Sequence, residues 1–180
     1  MSKCLFVASH KGLFRLDAKG KGKSRQWGVS RVSFLGDSVS MILPDQRSGT
    51  IYAALSLSHF GAKLHRSFDG GENWEECATP IFPNHNLEKH SSREENRGDS
   101  VIKIWSMETA SVVQEGSLWA GTIPGGLFRS SDGGSSWLLD QVLWNRPERK
   151  QWFGGGFDLT PYYWTAWHCV VNENTSTFRF

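Results

Sequence analysis

One nine-residue pattern occurs twice in this 180-residue chain and limits its fold more than any other feature. The first copy is Arg66-Ser67-Phe68-Asp69-Gly70-Gly71-Glu72-Asn73-Trp74. The second is Arg129-Ser130-Ser131-Asp132-Gly133-Gly134-Ser135-Ser136-Trp137. Both read R-S-x-D-G-G-x-x-W, and six matched positions in nine are too many for chance. An Asp carboxylate accepts hydrogen bonds from backbone N–H groups just downstream and so closes a turn. The paired glycines supply the positive φ that a tight reversal needs. The Trp that follows can fold its ring beneath the turn as an apolar plug. Each copy is therefore expected to be a strand, a locked hairpin and the next strand.

The pattern closes a longer repeat. Leu5-Phe6-Val7-Ala8 with Gly12-Leu13-Phe14-Arg15 superposes on Ile51-Tyr52-Ala53-Ala54 with Leu64-His65-Arg66-Ser67. Both superpose on Leu118-Trp119-Ala120-Gly121 with Leu127-Phe128-Arg129-Ser130. Each unit reads strand, loop, strand. Gln26-Trp27-Gly28-Val29 ends the first unit, with its Asp turn lost. Residues 39–43, 50–57, 101–107 and 116–122 are β-branched or apolar runs expected to be strands. Pro44-Asp45-Gln46-Arg47-Ser48-Gly49 is a turn cluster. Residues 83–100 are polar and charged and are expected to be an inserted surface loop. Asp69 and Asp132 are 63 residues apart, against ~40–50 for a four-stranded repeat unit, and the insertion accounts for the excess. No helical 3.6-residue period appears, so the expected class is all-β.

Composition narrows the function classes. The chain is 13% aromatic, with nine Trp and 19 Gly, which suits a sheet protein with many tight turns. A net charge of +2 leaves no electrostatic footprint for nucleic acid or membrane. The basic run Lys19-Gly20-Lys21-Gly22-Lys23-Ser24-Arg25 is glycine-spaced and reads as a solvated hairpin loop. Cys4, Cys77 and Cys169 are odd in number and far apart. They suit reduced thiols in a cytoplasmic protein rather than a disulfide framework. The apolar run at the N-terminus is too short for a signal peptide.

Both nine-residue copies resemble the Asp-box, or bacterial neuraminidase repeat, S/T-x-D-x-G-x-x-W. Asp-boxes occur in β-propellers such as sialidases, other glycosidases and sortilin-like receptors. The resemblance implies that Ser67, Asp69, Gly71 and Trp74, and likewise Ser130, Asp132, Gly134 and Trp137, form structural turns on a blade periphery. Asp69 and Asp132 are then not catalytic. Propellers use four to eight four-stranded blades, and the family resemblance implies six or seven. Residues 1–151 are therefore expected to form a partial, open β-propeller of about three four-stranded antiparallel blades. Its unpaired end is expected to favour self-association.

A second resemblance lies in the tail. Trp152-Phe153-Gly154-Gly155-Gly156-Phe157-Asp158-Leu159-Thr160-Pro161-Tyr162-Tyr163 is similar to the W-F-G-G-G-x-D-L-T-P-Y-Y motif of oxygen-dependent coproporphyrinogen III oxidases. Asp158 falls on the Asp that this family is thought to use near the substrate pyrroles. The family's His and Arg motifs have no match in the chain. Residues 152–180 are thus expected to be a foreign or poorly packed tail. The junction would fall inside the Gly run that follows Asn145-Arg146-Pro147-Glu148.

Propeller ligands sit at one mouth of the central channel. The loops after the first strand of each unit carry His10, then His59 with Lys63, then Thr122-Ile123-Pro124. His10 and His59 could hydrogen-bond a polar ligand near neutral pH; the plainer and favoured reading is two surface histidines. Lys103, Trp105 and Glu108 lie on one strand. Trp105 could stack a sugar and Glu108 act as acid or base, against a plainer reading as core Trp and rim Glu. His85 and His90 have poor metal spacing. The arginine cluster, Tyr–Glu pair and acid Asp of a sialidase cannot be assigned. The favoured expectation is a binding or scaffold module for a carbohydrate or small polar ligand, with no cofactor and no metal. The alternatives are an exo-sialidase-like glycoside hydrolase, with Glu108 as its weak candidate, and a coproporphyrinogen oxidase through Asp158.

Overall fold

The computed structural model describes residues 4–20, 26–83, 100–111 and 113–148, and the backbone of residues 169–171. The strands are β1 (Cys4–Ser9), β2 (Gly12–Lys19), β3 (Gln26–Ser33), β4 (Val39–Pro44), β5 (Ile51–Leu57), β6 (Gly61–Ser67) and β7 (Glu75–Cys77). They continue as β8 (Lys103–Thr109), β9 (Leu118–Ile123), β10 (Leu127–Ser130), β11 (Leu138–Leu139) and β12 (Cys169–Val171). One short helix, α1 (Gln141–Trp144), follows β11. The side chain of Asp140 caps it by accepting from the Leu143 N–H at 2.9 Å.

The strands make three four-stranded antiparallel sheets, in the orders β12-β1-β2-β3, β4-β5-β6-β7 and β8-β9-β10-β11. None of the three closes on itself. Successive side chains of a strand point to opposite faces, and here both faces of the middle sheet are buried. Ile51, Ala53 and Leu55 of β5 pack with Phe6, Ala8 and Leu13 of the first sheet. Tyr52 and Ala54, with Leu64 of β6, pack with Ile104, Met107, Leu118, Ala120 and Phe128 of the third. That is why β5 reads as a continuous apolar run rather than an alternating one. Each fully buried Leu or Phe contributes ~1.5–3 kcal/mol. The Ser40 hydroxyl on β4 lies 3.2 Å from Ala54 O and 3.0 Å from Ile104 O, so it ties the first strands of the second and third sheets together.

The strands expected from sequence are present within a residue or two, and β3 is longer than the Gln26–Val29 run suggested. A bulge between Arg15 and Leu16 lets β3 continue past it. The helix α1 was not expected, since four residues carry no readable period. Residues 84–99, the core of the supposed insertion, lie outside the described residues, as do 149–168 and 172–180 of the chain's end. Three residues of that end are described: β12 runs antiparallel to β1, with Leu5 opposite Val171 and Val7 opposite Cys169. Cys4 and Cys77 are free thiols. Burial pushes the Cys77 thiol up to about 11, which keeps it protonated and unreactive. No helix among the described residues is long and apolar enough to cross a membrane.

Candidate functional site

The two repeated turns fold alike. Ser67 Oγ donates to Asp69 Oδ1 at 2.8 Å and accepts from the Gly71 N–H at 2.9 Å. Asp69 Oδ1 accepts from the N–H groups of Glu72 and Asn73, and Oδ2 accepts from Asn73 Nδ2 at 2.7 Å. In the second turn Ser130 Oγ makes the same two bonds, at 2.8 and 2.9 Å, to Asp132 Oδ1 and from the Gly134 N–H. Ser136 replaces Asn73, donating its N–H and its hydroxyl to the two oxygens of Asp132. Gly70, Gly71, Gly133 and Gly134 all have φ between 69° and 86°, where other residues are strained. A Cβ on Gly71 would also lie 3.1 Å from the Phe6 ring.

These bonds lower both carboxyl pKa values. Asp69 is held well below the ordinary range, first by the N–H and side chain of Asn73 and then by Ser67. Asp132 is held at about 2, first by the Ser136 hydroxyl. Neither is a general acid near neutral pH.

Each turn is fastened to the sheet before it. Arg15 on β2 donates from Nη1 to Gly70 O at 3.1 Å, and Arg66 on β6 donates from Nη1 to Gly133 O at 2.9 Å. The two arginines occupy the same register of their repeats and grip the first glycine carbonyl of the following turn. The tryptophans reach the same way. Trp74 Nε1 donates to Ser33 Oγ at 3.2 Å with its ring against Phe34, and Trp137 Nε1 donates to Ala78 O at 2.9 Å. They therefore plug the seam between sheets as well as their own turns.

The candidate ligand residues fall into two places. His10 and His59 sit in equivalent exposed turns, β1–β2 and β5–β6. His10 Nδ1 lies 2.8 Å from Ser38 Oγ, just before β4. The β5–β6 turn meets the residues just before β8, where the Ala62 N–H donates to Val101 O at 3.3 Å. Lys63 pairs with Glu76 across β6 and β7. Lys103 stands at the start of β8 with its ammonium 5.2 Å from the centre of the Trp105 ring. Burial lowers the Lys103 pKa. Trp105 is 39% exposed and occupies the bulge between Ile104 and Ser106. Glu108 lies further along β8, opposite Trp119. It is three residues past Trp105, roughly 10 Å at strand spacing. Lys103 and Trp105 are thus brought together and Glu108 is set apart. Asp158, His85 and His90 lie outside the described residues.

One cluster escaped the sequence reading. Asp45 and Arg47, within the turn between β4 and β5, form a buried ion pair at 2.7 Å. Arg47 also donates to Ser111 O, to Gln114 O at 2.6 Å and to Ser117 O at 3.2 Å, reaching the β8–β9 loop of the third sheet. Burial opposes the charge on Asp45, but the Arg47 guanidinium and the N–H groups of Arg47 and Ser48 outweigh it and lower its pKa. D-x-R in a Pro/Gly turn signals a reversal, not a bond to a loop 64 residues away. The cluster ties the β4–β5 turn to the β8–β9 loop and works as a strut, while the hydroxyl of Ser117 is buried there without a hydrogen-bond partner.

Among the described residues, no group of three or more His, Cys, Asp or Glu side chains could hold a metal ion. No protein-family model matches the chain, and no curated protein matches it.

Proposed function

We propose that the chain is a run of three consecutive blades of an Asp-box β-propeller, acting as a non-catalytic binding or scaffold module. The observation that carries this reading is the repeated seam. The same turn, held by the same Ser–Asp bonds, is gripped twice by an arginine at the same register of the preceding sheet. A relation that recurs from sheet to sheet is what radial repetition requires. The ligand end is the one that carries His10, His59, Lys103 and Trp105. An exposed Trp beside a lysine suits a sugar or another small polar ligand, through ring stacking and a charged donor. The reduced thiols expected from sequence accord with a cytoplasmic setting.

The test is a titration of the full chain with a panel of neutral and sialylated oligosaccharides, followed by tryptophan fluorescence. The same preparation is incubated with fluorogenic glycosides. Saturable binding that is lost in Trp105→Ala, without turnover, is expected. Turnover abolished by Glu108→Gln would replace the binding reading with a hydrolase. Absence of binding across the panel would remove the carbohydrate assignment.

A further inference from the structure

We propose that the seam between the first and second sheets is a pH-sensitive latch: protonation of His65 releases Phe34 and, with it, the turn of residues 34–38 that holds His10. The latch stands whether or not the ligand reading above holds.

Its place in the repeat singles His65 out. β2, β6 and β10 carry Leu13-Phe14-Arg15, Leu64-His65-Arg66 and Leu127-Phe128-Arg129 at equivalent positions. Where the other two strands have phenylalanine, β6 has a ring that can take a charge. The second seam shows the apolar form of the contact. Phe128 is fully buried, and Phe82, from the segment that leaves β7, meets it with ring centres 5.1 Å apart and planes at 65°. In the first seam Phe34, from the segment that leaves β3, meets His65 at 4.9 Å and 58°.

Phe34 also touches the Trp74 ring, at 5.1 Å, so it sits between two rings of the second sheet. Its φ is 55°, in the left-handed region that large side chains rarely adopt, and no other non-glycine among the described residues lies there. Such a conformation persists only where its surroundings hold it. The turn that Phe34 begins is tied to the β1–β2 turn. The Asp37 N–H donates to Phe34 O at 3.0 Å, the Gly36 N–H donates to Lys11 O at 3.1 Å, and Ser38 Oγ lies 2.8 Å from His10 Nδ1. A movement of Phe34 is therefore passed to the turn that carries His10.

The neutral ring suits this seam and the imidazolium does not. His65 Nδ1 is buried without a hydrogen-bond partner. Protonation makes both ring nitrogens donors, and a buried charged donor with no acceptor is costly. Burial is the largest influence on the ring and lowers its pKa below the ordinary 6.5. Glu76, opposite it on β7, and Asp37, in the turn, favour the charge, while Lys63 on β6 opposes it. β5 sets the apolar Ala53 opposite His65. Opening the Phe34 contact lets water reach Nδ1 and restores the ordinary value. The open form then binds the proton first. Between the two pKa values the open-to-closed ratio should rise by up to about tenfold for each unit that pH falls.

The two seam tryptophans report one seam each, because Trp74 Nε1 donates to Ser33 Oγ and Trp137 Nε1 to Ala78 O. The assigned indole N–H resonances of the full chain are followed by nuclear magnetic resonance from pH 7.5 to 5.5. The Trp74 resonance should titrate and the Trp137 resonance should stay in place. Exchange of the Gly36 and Asp37 amides, corrected for the intrinsic rate, should quicken over the same range. His65→Phe, which copies Phe14 and Phe128, should silence both changes. An unmoved Trp74 resonance overturns the proposal. So does a Trp137 resonance that moves in step with it, which would mean general loosening, and so does a titration that survives His65→Phe, which would assign it to another group. The comparison of the two indoles in the unaltered chain decides the matter even if the variant folds poorly.

Discussion

Asp132 keeps its charge through hydrogen bonds rather than through an ion pair, so its contribution to stability has a defined pH window. Its pKa lies at about 2 in the folded chain, against an ordinary 3.8. A depressed carboxyl stabilises fully above the ordinary value and loses that contribution as pH falls from about 3.8 towards 2. Asp132→Ala should abolish this part of the acid sensitivity and lower the urea midpoint. The loss should be about 0.5–1.5 kcal/mol, since the N–H groups that lose their acceptor are exposed and turn to water instead. Ligand binding should be untouched. His65 supplies the opposite chemistry. Its ring packs against Phe34 with centroids 4.9 Å apart, and its Nδ1 is buried without a hydrogen-bond partner. Burial lowers its pKa below the ordinary 6.5, outweighing Glu76 and Asp37, which favour the charge, while Lys63 opposes it. The unfolded chain therefore takes up the proton first, and stability should decline as pH falls below about 6.5. Equilibrium melts at pH 7.5 and 5.5 check this, and His65→Phe should flatten the difference.

At the scale of the elements, the seam arginines and the Asp45–Arg47 strut hold sheets to one another. Arg66→Met removes the bonds to Gly133 O and to Glu75, and should cost ~1.5–3 kcal/mol in a urea melt. Asp45→Ala leaves the mostly buried Arg47 with its loop carbonyls but without a counter-charge, and should cost ~3 kcal/mol, with accelerated amide exchange in the β8–β9 loop. The strands and the two locked turns were legible in the sequence because their causes are local: alternation of apolar residues, Gly-Gly at positive φ, and Ser and Asp within five residues of the N–H groups they bind. The arginines were visible in the repeat, yet their partners lie 55 and 67 residues away and no local pattern names them. The same holds for Arg47, whose turn chemistry hid a contact to another sheet. At the candidate site, His10 and His59 fell in equivalent turns as their repeat positions suggested. That β8 bulges at Trp105, keeping Lys103 with it and leaving Glu108 apart, depends on pairing with β9, which the sequence of β8 alone does not encode.

At the scale of the molecule, the tail bears on the first sheet. Ending the chain after residue 151 removes β12 and leaves β1 as an open edge. Hydrogen exchange should then quicken in β1 while β5 and β9, central in their sheets, stay protected. Unchanged exchange in β1 would mean that β12 contributes nothing to the first sheet. Arg15 and Arg66 each bind a turn of the next sheet, which makes the sheet-to-sheet couplings alike. If every sheet couples mainly to its neighbours, cooperativity behaves like that of a linear array, in which the terminal units have one neighbour and fray first. A row of three sheets has two couplings to share, so the middle sheet has two neighbours and the outer sheets one each. Heat should therefore loosen the first and third sheets before the second, and temperature-stepped hydrogen exchange should lose protection in β2 and β10 ahead of β5.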